Sequence, residues 1–421
     1  MGVPSTVRAL AAPVLLAAFV STVLAVGAQN PPEAELDEVL RRTLEAGRAR
    51  GEIELGSDLA FASEALPRFY EERGFAPAWT APDGPLPEAR ALVRLLREAE
   101  LDGLRGSDYH LARITALLGG RRGPVTEALD HLELALSDAA LVYAAHLAAG
   151  KTDPAALLPQ WRATRNDLDA ARFLAGALDG GDLRAAYEGL RPPYPDYRRL
   201  RQGLADLRRA AAAGGWGAVP PGEALRPGEA SERVPALRAR LAASGDLPPT
   251  RVPPDDPVYD PDLEAAVRFF QSRHGLTADG VVGERTLAAL NVPVALRIDQ
   301  VRVNLERWRW LPADLGERHL RVNIAGFGLQ AFEAGRVDLE SRVIVGKAYT
   351  RTPVFSDEVT YLVVNPFWYV PASIAGHEML PQIQADRSYL AREGFQVLDG
   401  TGPSARVLDP AAIDWGALSA G

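Results

Sequence analysis

The hydrophobic period changes along this chain, and that change limits the possible folds more than any composition figure. From Pro32 to about Gly215 apolar residues recur at three- and four-residue steps, punctuated by Pro and Gly, with no sustained two-residue alternation. Leu92, Leu95, Leu96 and Ala99 share one face of a helix predicted from Pro87 to Glu100. A longer stripe, Leu129, Leu132, Leu136, Ala139 or Ala140, Tyr143 and Leu147, runs through Val125 to Ala149 and stops at Gly150. Farther on the period becomes two. Leu320, Val322 and Ile324 alternate with Arg321 and Asn323, and Leu339, Ser341, Val343 and Val345 alternate with charged neighbours, which predicts half-buried strands. Glu333-Ala334-Gly335-Arg336 reads as the hairpin turn between them, and Val359 to Val364 as a further strand ended by Asn365-Pro366. After Pro371 the pattern is helix and loop again. The fold class is therefore multi-domain α+β, as 421 residues also require, since one core rarely organises so many.

Between the two regimes lies a Pro/Gly-rich linker, Val219-Pro220-Pro221-Gly222 to Arg226-Pro227-Gly228. A compact three-helix module over residues 230–293 follows. Its first helix carries Leu237 and Leu241 one turn apart. Its second has Asp260 as N-cap, Pro261 at the first helical position, an apolar face of Leu263, Ala266, Val267 and Phe270, and Gly275 as stop. Asp279-Gly280 is a tight turn before a last helix from Glu284 to Leu290.

Charge and cysteine content exclude several functions. Lys+Arg 46 against Asp+Glu 55 leaves a net charge of −9, which argues against a nucleic-acid partner held by phosphate contacts. Cysteine is absent, so the 421 residues hold no disulfide, no thiolate metal site and no thiol nucleophile. Arg8 precedes an apolar run from Ala9 to Ala28, so residues 1–28 read as a signal peptide or an inner-membrane anchor and predict a periplasmic protein.

The module at 230–293 resembles the common three-helix peptidoglycan-binding domain through Ala266-Val267-Arg268-Phe269-Phe270-Gln271, Gly275-Leu276, Asp279-Gly280, Gly283 and Thr286-Leu287. Residues 33–215 resemble the helical scaffold domain of large periplasmic L,D-transpeptidases. The matching blocks are Phe69 to Trp79, Asp102-Gly103-Leu104 with Asp108-Tyr109-His110, and Leu147 to Trp161. Residues 317–421 resemble the opening of that family's mainly-β catalytic domain through Asn323-Ile324, Val345-Gly346-Lys347, Arg351 to Phe355 and Asn365 to Pro371. Residues 371–421 resemble its helical capping insertion. The resemblance implies 3–3 crosslinking of tetrapeptide stems through a cysteine acyl-enzyme, with stem peptides and glycan as partners and no cofactor or metal.

The family's Ser-x-Gly-Cys-x-x-Arg motif does not occur in these residues, so the expectation is of a chain that stops before it, incomplete in its catalytic domain and inactive as it stands. No catalytic residue is assigned. Ser373 and His377, four apart, read as polar residues on a solvated helix face. Pro381 stands where a second histidine would be needed to make His377-Glu378 a zinc motif. His110, His131, His146, His274 and His319 read as scattered surface or core residues. Arg351, Thr352, Trp368 and Tyr369 are the candidate stem-peptide contacts, because aromatic faces cover apolar peptide parts and Arg pairs with carboxylates. The alternative class is a non-catalytic peptidoglycan-binding scaffold protein.

Overall fold

The computed structural model describes residues 33–81, 83–120, 125–158, 161–163, 166–248, 253–400 and 404–419. The signal or anchor expected at 1–28 lies outside them. The chain divides into a unit ending at Ser356 and a second from Asp357.

The first unit opens with α1 (Glu33–Arg50), a ribbon of β1 (Glu54–Leu55) and β2 (Asp58–Leu59), α2 (Ala65–Glu72), a ribbon of β3 (Thr80–Ala81) and β4 (Gly84–Pro85), α3 (Pro87–Glu98), α4 (Leu111–Gly119) and α5 (Val125–Ala149). The two ribbons correct the all-helical expectation for this region. Gly56 at φ 75° and Gly84 at φ 133° turn the chain too tightly for a helix to continue. Leu129–Ala149 is apolar and long enough to cross a bilayer, yet 78% of its apolar window is buried inside the protein, so α5 serves as the core helix. Leu92, Leu96, Leu136, Ala139, Tyr143 and Leu147 are all fully enclosed, as the helical stripe requires.

Polar groups on α5 order the loops around it. Glu133 accepts hydrogen bonds from Tyr70 Oη (2.8 Å), Thr80 Oγ1 (2.8 Å), the Trp79 amide (3.1 Å to Oε2) and the Ala78 amide. Trp79 Nε1 donates to Ser137 Oγ at 2.7 Å. Asp138 accepts from the Ala62 amide (2.7 Å) and lies 2.9 Å from His110 Nε2. Burial pushes the Glu133 pKa up, while its donors oppose the rise.

The unit continues through α6 (Pro154–Leu157), β5 (Trp161–Arg162), α7 (Ala170–Asp179), α8 (Leu183–Gly189) and α9 (Pro195–Ala212) to the three-helix module of α10 (Val234–Ala243), α11 (Pro261–Arg273) and α12 (Glu284–Leu290). The Asp260 carboxylate caps α11 through the Leu263 amide at 3.0 Å. Leu237, Leu241, Leu263, Val267, Phe270 and Leu290 fill the module's own core. Arg240 lies 3.9 Å over the ring of Trp216 and donates to the Leu290 carbonyl at 2.6 Å, which ties the incoming linker to the module. Burial lowers its pKa to about 10.

A helix with no counterpart in the sequence reading follows: α13 (Val294–Arg309). It packs back on α9, with Tyr197, Leu204 and Leu305 between them. Arg309, 1% exposed, donates to the Asp102 carbonyl (2.9 Å), Tyr197 Oη (3.0 Å) and Glu306 (2.6 Å). The Asp102 carboxylate takes Arg191 (3.0 Å), Arg201 (2.8 Å) and Tyr197 Oη (2.9 Å). The helices before and after the three-helix module are thus bolted together by one buried polar cluster.

Next comes an antiparallel meander, β6 (Arg318–Asn323), β7 (Gly328–Glu333) and β8 (Arg336–Arg342). Its hairpin turn falls where the sequence placed it, with Ala334 at φ 48° and Gly335 at φ 75°. Half-burial does not follow: Leu320, Val322, Val337 and Leu339 are 57, 47, 44 and 52% exposed, because no layer covers their face among the described residues. The strand itself ends at Arg342, so Val343 and Val345 lie outside it, with the Val343 amide still donating to the Phe327 carbonyl at 3.0 Å. β9 (Val354–Phe355) pairs in parallel with β5.

In the second unit, Val359–Val364 is not a strand, which corrects the expectation. Its β-branched pattern finds no partner among the described residues, and a strand without a partner leaves its backbone to solvent. Pro371 then starts a helical run of α14 (Ala372–Ile374), a π turn (Ala375–Met379) and α15 (Leu380–Ala385). The wide turn sits just ahead of Pro381, which has no amide hydrogen to donate. α16 (Tyr389–Arg392) and a ribbon of β10 (Val397–Leu398) and β11 (Val407–Leu408) complete it. Met379, Leu380, Ile383, Leu390 and Trp415 form its small core.

Candidate ligand-binding cleft

Where the α9/α13 pair faces the meander, an open cleft of about 1290 Å³ remains. Arg199, Arg273, Arg307, Arg321 and Arg342 line it against the carboxylates of Asp196 and Glu340, so it is locally basic on an acidic chain. Arg321 is structural. It pairs with Asp196 at 2.8 Å and Gln330 at 2.7 Å, and lies over the rings of Trp308 (5.6 Å) and Phe332 (4.8 Å). Arg199 also pairs with Asp196, and Arg273 is held by Asp246 outside the cleft. Arg307 and Arg342 make no ion pair with the described residues and are exposed. Trp161 and Trp308 supply apolar wall, and Trp161 meets Trp310 edge-to-face at 5.4 Å. Two free guanidiniums beside aromatic faces suit a ligand that carries carboxylates on a partly apolar body.

The residues singled out from the sequence fall elsewhere. Arg351 and Thr352 share the loop from Gly346 to β9. Arg351 Nε donates to the Ala348 carbonyl at 3.0 Å, and Thr352 Oγ1 accepts from the Gly346 amide at 2.8 Å. A Cβ at position 346 would collide with the Thr350 carbonyl, so only glycine closes this loop. Trp368 and Tyr369 belong to the second unit, 62 and 53% exposed, with Trp368 at 6.3 Å from the Phe395 ring. His377 Nδ1 lies 2.9 Å from the Ser373 carbonyl oxygen, so its bond is to the backbone.

The family models match these same structural blocks. The scaffold domain model covers 64–204, the "Putative peptidoglycan binding domain" model 230–290, and the L,D-transpeptidase catalytic domain model 317–418. Residues 317–418 are thus similar to an L,D-transpeptidase catalytic domain. A "Putative L,D-transpeptidase" of Haemophilus influenzae is 38% identical over 116 residues, 28% of this chain and 23% of that protein. The "N-acetylmuramoyl-L-alanine amidase CwlM" of Mycobacterium tuberculosis is 42% identical over 76 residues, 16% of this chain and 18% of that protein. The matches thus span less than a quarter of either relative.

Many residues that carry the family resemblance are occupied with holding the fold. Gln271 donates to Asp279 (2.8 Å), the Val281 carbonyl (2.9 Å) and Thr286 (3.1 Å), and accepts from the Gly280 amide (2.9 Å). Tyr70 and Trp79 serve the α5 network in the same way. The cleft arginines were missed in the sequence. The available signal was the Arg307-Trp308-Arg309-Trp310 run, whose alternate cations take opposite roles: Arg307 faces the cleft and Arg309 the core.

Proposed function

We propose that this protein is an L,D-transpeptidase-type protein that recognises peptidoglycan stem peptides for 3–3 crosslinking in the periplasm, and that the basic cleft is where stem carboxylates are held. The free guanidiniums of Arg307 and Arg342 carry this reading, supported by the peptidoglycan-binding model over 230–290. Arg351, Thr352, Trp368 and Tyr369 are proposed as further stem contacts. Thiolate acyl transfer needs a cysteine, and these 421 residues contain none. The peptidoglycan-binding model over 230–290 also fits a second reading, a peptidoglycan-binding scaffold without catalysis of its own.

Calorimetric titration of the 421-residue polypeptide with free tetrapeptide stem tests the first reading. Arg307→Ala with Arg342→Ala weakens binding about tenfold or more, each lost charge-assisted bond being worth about 1.5–3 kcal/mol. Unchanged affinity would refute the cleft. Mass spectrometry after incubation with a carbapenem shows no covalent adduct, and an adduct on any of these residues would overturn the statement about the nucleophile. Export is tested with a reporter fused behind residue 421, and cytoplasmic retention would remove the periplasmic assignment.

A further inference from the structure

The scaffold region holds a second cavity, of about 650 Å³, far too large for one water and open to solvent. Val142 and Ala145 on α5 give it an apolar floor, and Arg68, Asp108 and Lys151 stand around it with His146. His146 Nδ1 lies 3.0 Å from Tyr109 Oη. Tyr109 is fully buried, and its hydroxyl has no other partner among the described residues, so it donates to Nδ1 and leaves the proton of the neutral His146 ring on Nε2, in a side chain that lines the cavity. Burial lowers the His146 pKa to about 4, so the ring is neutral at neutral pH and this tautomer persists. Lys151 Nζ meets Asp108 at 2.9 Å with 48% of its side chain exposed, and Arg68 pairs with Asp169. The rim thus offers both signs of charge above a floor that suits methyl-sized groups.

We propose that this cavity binds a short zwitterionic peptide with small side chains. Its carboxylate lies toward Lys151, Arg68 and His146 Nε2–H, its ammonium toward Asp108, and its methyl groups on Val142 and Ala145. Balanced charge decides against a polyanion, since each rim cation already has a carboxylate beside it and a ligand carrying both charges can exchange into both pairs. The chemistry is met by a peptide of the cell wall and by an ordinary oligopeptide alike. The site uses no residue of the basic cleft and does not depend on the function proposed for it.

The test is nitrogen-detected NMR of the histidine rings in the full 421-residue chain, with two probes, trialanine and the free tetrapeptide stem. Saturable perturbation of the His146 resonances by at least one probe is expected. Response to the stem alone assigns the site to wall peptide, and response to both assigns it to peptides generally. Ala145→Phe fills the floor and lowers affinity about tenfold or more, while Lys151→Met, at a half-exposed position, lowers it about fivefold without threatening the fold. Arg307→Ala with Arg342→Ala leaves the His146 response unchanged, so failure of the cleft and failure of this cavity are separable. No His146 response to either probe, or undiminished affinity in both Ala145→Phe and Lys151→Met, overturns the proposal.

Discussion

The helical region around α5 and the strand meander β6–β8 place their side chains in opposite ways. Around α5 a carboxylate, Glu133, is wholly enclosed and its two oxygens collect donors from three consecutive residues and a tyrosine. On the meander, aliphatic residues that alternate as core residues should are left about half exposed. Burial here follows from whether a second layer exists, and residue polarity does not decide it. A buried polar group with every bond made specifies one arrangement, because no other satisfies its donors. An uncovered sheet face specifies little, and among the described residues both outer edges of the meander are unpaired.

The contrast gives its largest effect at Glu133. Glu133→Ala removes the acceptor of the Ala78 and Trp79 amides and of the Thr80 hydroxyl, leaving Tyr70 to Ser137, so about 3–5 kcal/mol of stability is lost, read by denaturant unfolding. A loss under about 1 kcal/mol would show that the network is not what orders these loops. Acidification comes next. The His146 pKa is depressed from 6.5 to about 4 by burial and then by Lys151, against the pull of Glu306 and Asp108. A depressed histidine stabilises the fold fully above pH 6.5 and loses that contribution as the pH falls towards 4, at most about 3 kcal/mol here. His146→Gln should flatten that part of the stability curve, and an unchanged slope would assign the acid sensitivity to other groups.

Smaller still is Asp182→Ala, which removes the α8 cap on the Ala185 amide and costs about 1 kcal/mol by thermal melting. The smallest effect is expected on the meander, where Leu339→Ser should change stability by less than about 0.5 kcal/mol. A loss above about 2 kcal/mol there would mean that the face is covered in solution, and the comparison of the two regions would fail.

What was legible in the sequence depended on how local its cause is. The Asp260-Pro261 start of α11 and the Ala334-Gly335 turn were readable because capping and positive φ are decided within a few residues. α13 was not, because its pattern is inverted: Leu296 and Val303 are 54 and 56% exposed while Arg309 is buried. No periodicity rule places a guanidinium inside, and only the Asp102 carbonyl, Tyr197 and Glu306, brought together from distant parts of the chain, make that burial affordable. The cleft arginines were hidden for the same reason, since whether an arginine is paired depends on elements far away in sequence.

The sequence by itself determined the order of the modules, their α or β character, the caps and turns between them, and the absence of a thiol from these residues. Those properties follow from local backbone preference and from composition, which need no partner. Tertiary structure alone decided that α13 packs back on α9, that Val359–Val364 lacks a strand partner among the described residues, and which guanidiniums are buried in the core and which make no ion pair with the described residues. Each of these turns on a contact between residues distant in the chain, and a desolvated charge or an unpaired backbone gains or loses its free energy only when that contact is made.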